Sequence, residues 1–494
     1  MLIDRPEDLR PERLSAPIEL SGSLLSRLTT TRYAVLATLS SGDPVYGVNT
    51  GMGAMSKVRL GETEQRVHQR NLLLGRAVGG PPWLPADEAR AVVAARLRTF
   101  LNGDAGVSAE LCLQLVALLN SGLVPAIPAG GSGSAGEIIP LAHAFGPLVG
   151  IGSFLQPGGG ITPAAGVLPP YELGPKEGIA LLAGVPGATG RAALRVRAAR
   201  VLTDRMSLVA AGSIAVIGAS RDPYDPFCGR GDDVLAAELA RILEAAGPES
   251  EPRSLQAPVS FRVAGQVAAQ LRRSVDRLDE AVERALIGVT DSPAYDADER
   301  RFIGTAGFHG LDLAAHCDQL VAALAHAAEV SAARLHRLLD PVVTGLPAQL
   351  AHDPGPQAGL VAVHKRAVAA VHSLRRLALP SAIGALETSN GQEDVQSFSW
   401  EAVSGLGEAI RLTREVAACE LLAVQQAFAL SKRATPPGLQ EFLAAVAAVV
   451  PPIEVDRPFG VDVGHLADLL ARRTPRVTIA GSPGPNRVEP PASG

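Results

Sequence analysis

Three short segments carry residue types suited to acid–base chemistry. Tyr46-Gly-Val-Asn-Thr-Gly-Met-Gly53 sets a phenol among glycines that let the backbone turn sharply and approach a ligand. Residues 130–136 read GGSGSAG and run directly into Glu137-Ile-Ile-Pro-Leu-Ala-His143. Asn390-Gly-Gln-Glu-Asp394 places carboxylates at a turn. Each segment alone also reads as a tight surface loop. Cys112, Cys228, Cys317 and Cys419 lie far apart with no CxxC spacing, so neither a disulfide framework nor a metal site is expected. Each cysteine reads as a small buried hydrophobe.

Long helices must position these loops. Val267, Leu271, Val275, Leu278, Val282, Leu286 and Val289 recur at intervals of four and three. So do Leu313, Cys317, Leu320, Leu324, Ser331, Leu335 and Leu338, with Ala327 and Ala328 between. These are seams of helices about 25 residues long, apolar along one stripe. Similar stretches run from Val403 through Ile410, Val416 and Val424 to Leu430, and from Arg191 past Leu194 and Val201 to Leu208. Their Ala-rich faces predict close packing in a central bundle, and few segments alternate with period two, which argues against a large sheet. Helical stretches at 86–101 and 109–119 alternate with Gly-rich loops at 47–53, 129–136 and 146–160. The expected fold is all-α: a loop-rich N-terminal part over 1–185, a long-helix bundle with C-terminal helices over 186–480, and a frayed tail over 481–494. Pro and Gly clustering at 184–190 marks the boundary.

Composition narrows the function classes. The 494 residues are 47% hydrophobic and 19% charged, with a formal net charge of −5. That balance argues against a nucleic-acid surface, which concentrates Lys and Arg. No apolar run reaches the roughly 18–20 residues of a membrane helix. The N-terminus is charged from residue 4 and has no apolar core of a secretory signal. A cytoplasmic protein with a small-molecule substrate is expected, with no nucleic acid or membrane partner.

Taken together and in order, the motifs resemble the aromatic amino acid ammonia-lyase and aminomutase family. Residues 46–53 are similar to its YGxNTGFG loop, and Gln69-Arg-Asn-Leu-Leu-Leu-Gly-Arg-Ala-Val-Gly79 to its QRNLxxSHAxG segment. Pro175-Lys-Glu-Gly-Ile-Ala-Leu-Leu-Ala-Gly184 resembles PKEGLALxNG. Thr290-Asp-Ser-Pro293, Gly307-Phe-His-Gly310 and Gln392-Glu-Asp394 resemble TDNP, NFHG and QED. The resemblance implies an almost wholly helical protomer and a homotetramer whose active sites are shared between protomers.

The resemblance also implies a prosthetic group, 4-methylideneimidazole-5-one, made by cyclising an Ala-Ser-Gly triad just before a DLAPLAH segment. Here that place reads Ser134-Ala135-Gly136, and the position that must supply the hydroxyl is an alanine. Carried over position by position, Tyr46 matches the family's general base, and Arg76 replaces the histidine of SHAxG. Ala183 replaces the asparagine of PKEGLALxN, and Val259 the tyrosine of QDxYSLR. Arg262 matches the arginine that grips the substrate carboxylate, with Gln266 nearby. Ser292 and Gly307 replace asparagines, while Glu393 keeps the glutamate of QED. Tyr46, Arg76 and Glu393 are thus the catalytic candidates. Arg262, Gln266, Asn49, Met52, Ala183, Val259 and Phe308 are the substrate-binding ones, and Ser134, Ala135 and Gly136 form a degenerate loop. On the family geometry Tyr46, Arg76, Arg262 and Glu393 converge on one pocket, and the two arginines would suit a carboxylate plus a second anionic group. An ion pair of Arg76 with Glu393 or Glu137 is the competing expectation.

The electrophile is expected to be absent. A phenol, which ionises only around pH 10 when unassisted, is too weak a base for an unactivated β-proton. The leading reading is therefore a family member without the prosthetic group, turned to acid–base addition, elimination or cyclisation of a carboxylate-bearing, amino-acid-derived substrate, as in specialised metabolism. The alternatives are a genuine ammonia-lyase or aminomutase with the group formed in a shifted register, and a non-catalytic binding or scaffold subunit.

Overall fold

The computed structural model describes residues 1–14, 17–248, 255–384, 386–431 and 433–472, so the expected tail at 481–494 lies outside the described residues. The described residues form sixteen α-helices and three two-stranded ribbons whose strands are two or three residues long. The large sheet that the sequence argued against is not among them.

The expected seams become long helices. Leu271, Val275, Leu278, Val282 and Leu286 are buried along the Ala264–Ile287 helix. Leu313, Cys317, Leu320, Leu324, Leu335 and Leu338 do the same in Leu311–Leu338. These two pack with Pro186–Ile217 and Ser399–Leu430 as the central bundle, and Val361–Leu377 and Phe459–Ala471 flank the Ser399–Leu430 helix. Val289, the last residue of the first seam, falls beyond the helix end and is exposed. Cys112, Cys317 and Cys419 are buried, but Cys228 is exposed. It sits in a short surface turn, Pro226–Gly229, where no core is within reach, so its reading as a buried hydrophobe is corrected.

Two apolar clusters make up the interior. One gathers residues between Ile3 and Leu182 and adds Trp400. The other runs from Val185 to Leu470 and adds Ala95. Trp400 ties them together, donating its indole N–H to the Ala129 carbonyl at 2.9 Å with the Arg191 guanidinium 4.5 Å above its ring. At the expected boundary, 184–190, the Pro186–Ile217 helix begins, with proline in the first turn where its missing N–H costs nothing. Among the described residues no helix is long and apolar enough to cross a membrane.

Buried charges in the bundle are compensated. Arg334 Nε donates to Glu420 Oε1 at 2.6 Å with both side chains almost fully enclosed, and Ser213 and Ser331 hydroxyls complete the carboxylate. Removing one partner strands the other. Glu420→Ala is expected to cost about 3–5 kcal/mol, and Arg334→Met combined with Glu420→Leu to recover most of it. Unfolding of the two variants in urea measures the difference.

Candidate active site

The Tyr46 loop is fixed from beneath. Gly47 adopts φ +67°, and a Cβ there would lie 2.3 Å from Ile179 Cδ1, so only glycine fits. The buried Gln69 amide spans two segments, donating to Gly47 O at 3.1 Å and accepting from Ile179 N at 3.2 Å. Asn49, expected among the substrate contacts, turns inward instead. Its Oδ1 accepts from Val45 N and its Nδ2 donates to Asp43 O, each at 2.7 Å, so it braces the loop. Tyr46 is left 38% exposed, its hydroxyl accepting from Gly53 N at 2.8 Å.

Arg76 lies just beyond the Glu62–Leu74 helix and folds back on it, Nη1 donating to Leu72 O at 3.3 Å. Nη2 lies 3.8 Å from Met52 Sδ, at the end of the Tyr46 loop. Burial holds the guanidinium below its ordinary pKa, and the nearby Tyr46 and Glu393 pull the other way. The expected ion pairs of Arg76 are not formed. Glu137 is fully buried and accepts from Gly187 N at 2.7 Å and Ala188 N at 2.6 Å, capping the Pro186–Ile217 helix. Burial raises its carboxyl to about 7, against the pull of those amides. Glu393 accepts from Ala135 N at 2.9 Å.

The 130–136 loop is suspended between two carboxylates. Glu393 takes the Ala135 amide, and Glu401, in the first turn of Ser399–Leu430, takes the Ser132 amide at 3.2 Å. The Ser132 and Ser134 hydroxyls both donate to the Gly136 carbonyl, at 3.2 and 2.8 Å. A Cβ on Gly136 would lie 3.5 Å from the Phe308 carbonyl and 3.7 Å from that of Gly184. One on Gly310 would lie 2.9 Å from both Ser399 Oγ and Val185 Cγ1. Three long helices therefore begin side by side beneath the loop, with their positive dipole ends together. Ala183 offers only a methyl group there, its carbonyl being engaged by Arg96. Gly307 stands where a side chain would meet the Val289 carbonyl at 2.2 Å.

Tyr46, Met52, Arg76, Glu393, Ala183, Phe308 and residues 134–136 thus belong to one linked set of loops. Arg262, Gln266 and Val259 lie apart from that set within one protomer. Val259 and Gln266 line a separate groove with His326, Glu329 and Val330. The short Val259–Arg262 helix is tied by Ser260 O to Arg334 Nη1. At 1.5 Å per residue that point lies about 35 Å along the Leu311–Leu338 helix from its start near Phe308. Arg262 Nε is buried there without a partner.

Two residues escaped the sequence reading. His68 lies two turns before Arg76, its Nε2 buried without a partner, and burial followed by the Arg76 charge depresses its pKa. Glu401 Oε2 is likewise buried and unpartnered. The signal for His68 was present in its place one turn before Leu72; Glu401 had no local signal. Among the described residues no group of three His, Cys, Asp or Glu side chains is placed to hold a metal ion.

A profile described as aromatic amino acid lyase matches residues 9–448. The chain belongs to the aromatic amino acid lyase family. A histidine ammonia-lyase from Symbiobacterium thermophilum is 30% identical over 94% of both chains. One from Aromatoleum aromaticum is 33% identical over 88% of this chain and 85% of its own. Among solved structures, tyrosine aminomutase from Streptomyces globisporus superposes with a TM-score of 0.88 at 26% identity, covering 94% of this chain and 95% of the other. The ergothioneine-degrading enzyme ergothionase from Treponema denticola shares the fold, with a TM-score of 0.87 at 24% identity over 94% and 96% of the two chains. The lyase-family motifs therefore sit where the fold gathers its loops.

His143, the last residue of the family-like segment after the loop, gives the site a pH dependence. Its Nε2 accepts from Gly79 N at 3.0 Å, which requires the neutral ring, and burial depresses its pKa. The unfolded chain protonates this ring around pH 6.5, whereas the folded one resists. The stability it contributes is present above that pH and is lost as the pH falls below it. His143→Gln, which keeps an acceptor, is expected to show a smaller drop in thermal midpoint between pH 8 and pH 5.5 than the unmodified protein.

Proposed function

We propose that this family member works without the methylideneimidazolone group, as an acid–base lyase-like enzyme for a carboxylate-bearing, amino-acid-derived substrate. The observation that carries the reading is residue 135, where a methyl group stands in place of the hydroxymethyl that would become the methylidene carbon. Ring closure at 134–136 would also strip the hydrogen from the Ala135 nitrogen, the very N–H that Glu393 accepts. The nearest hydroxyls, those of Ser132 and Ser134, are both committed to the Gly136 carbonyl. The residues present do not fit the group in the register the motif defines.

Tyr46 is the group that exchanges a proton with the substrate. The Gly53 N–H fixes its oxygen and leaves its own hydrogen free to face a ligand. Glu393 is a positioning residue, spent on the loop. With no electron sink in the protein, the substrate must bring a carbonyl or equivalent group that already acidifies the C–H bond, and the reaction is an addition, elimination or cyclisation. Arg262 grips the carboxylate only if a second copy brings it to Tyr46, so the active form in this reading is a homo-oligomer, in keeping with the expected tetramer. Exposed apolar side chains on the site's own segments, Met55, Val78 and Leu386, support such burial between copies.

The names of the curated relatives favour a second reading, that of a genuine histidine ammonia-lyase with the group formed in a shifted register. Intact mass and ammonia release separate the two. The first reading expects the mass encoded by the sequence and no ammonia from histidine, phenylalanine or tyrosine. A mass short by the waters of cyclisation, together with deamination, establishes the second. In solvent-deuterium exchange with activated carbon acids, Tyr46→Phe is expected to slow exchange by roughly 10²–10⁴-fold without changing the fold.

A further inference from the structure

Several arginines enclosed by this fold are given an anion. Arg191 and Arg195 share Glu88, Arg334 has Glu420, and Arg272 has Asp204 and Glu238. Two at the site are not: Arg96 is fully buried and engages the Ala183 carbonyl. Arg76 is the one of the two that solvent and a ligand can reach. It is half-buried, yet among the described residues no carboxylate lies within 4.0 Å of it. The two candidates are committed elsewhere, Glu137 to the Pro186–Ile217 helix start and Glu393 to Ala135 N. Its remaining contacts are weak: one carbonyl at 3.3 Å and a thioether sulfur at 3.8 Å. A guanidinium carries five donors, so most are unspent. His68, two turns back, adds no negative charge, and its Nε2 has no partner.

Leaving a partly desolvated cation without a counter-ion is unfavourable unless a ligand supplies the negative charge. The planar fork of arginine suits a carboxylate or another oxyanion through two parallel hydrogen bonds. Met52 lies against the guanidinium on the Tyr46 side, so an anion seated there is next to the phenol that handles the proton.

We infer that Arg76 is the seat of a second acidic group on the substrate, which therefore carries two anionic groups, one for Arg262 of a second copy and one for Arg76. The inference rests on the carboxylate-substrate reading and narrows it to dianions.

Calorimetric titration of the full-length protein with cinnamate, 3-carboxycinnamate and 4-carboxycinnamate tests this. At least one dicarboxylate is expected to bind about tenfold or more tightly than cinnamate. Arg76→Gln abolishes that preference, bringing the dicarboxylates down to the affinity of cinnamate, and Arg76→Lys, which keeps the charge but not the fork, retains part of it. Arg262→Gln weakens all three ligands. Dicarboxylates that bind no better than cinnamate, or an Arg76→Gln variant that weakens all three equally, overturn the inference and leave the carboxylate reading standing. Binding of none of the three, with Arg262→Gln unchanged from the parent, overturns both.

Discussion

A backbone N–H shielded from water needs an acceptor, and at Ala135 that acceptor is the Glu393 carboxylate. The loop from Ser132 to Gly136 has no regular structure of its own to satisfy its amides, so its course is set by what comes to meet it. Glu401 meets it at Ser132, Glu393 at Ala135, and two serine hydroxyls close it on Gly136 O. Both carboxylates come from one stretch of chain leading into the Ser399–Leu430 helix, so the loop's shape is tied to the bundle. Ring closure at 134–136 would remove this N–H, so the bond to Glu393 and the proposed absence of the group go together.

The scaffold around the loop is cross-linked by polar groups rather than by apolar contact alone. Gln69 joins the Tyr46 loop to the Glu177–Leu182 helix, and Lys176 Nζ meets Asp291 Oδ2 at 2.6 Å with both groups buried. Glu177 accepts from the amides of Ser108 and Gly174. None of these bonds passes through the side chain at 135. A methyl group there in place of a hydroxymethyl removes none of these bonds, so the family architecture can persist around an altered loop.

The sequence made the helices legible because their signal is local. A stripe at intervals of four and three, as from Leu271 to Leu286, dictates one buried face wherever the helix packs. Residue placements were legible where a motif carried them, as with Tyr46, Gly47 and Glu393, which the fold brings to one set of loops. Asn49 was misread because its amide is short enough to reach its own loop, and nothing in the residue type says which way it turns. Val289 and Cys228 failed for a related reason: an apolar residue beyond a helix end, or in a surface turn, has no face to share. Arg262 stands apart from the other candidates within one protomer. Its motif gives its role but not its distance, and the 35 Å that separate it from the Phe308 end come from the length of a helix lying between them.

That separation bears on how charge is distributed over the assembled site. Within one protomer the loops gather a phenol, an unpaired guanidinium and three helix N-termini, while the nearby carboxylates are absorbed by backbone amides. Arg76 and the helix N-termini supply positive charge there, Glu393 and Glu401 keep their negative charge while accepting from amides, and an added Arg262 would shift the balance toward positive. A site of that sign attracts anionic ligands and stabilises negative charge that develops on them, whether or not the protein carries an electrophile of its own. Under the proposed reading the protein has no place of its own for a carbanion's electrons, and that requirement would pass to the substrate. Positive charge and an absent sink would then call for the same kind of molecule: an acid whose own carbonyl or equivalent group delocalises the charge left behind when a base such as Tyr46 takes its proton.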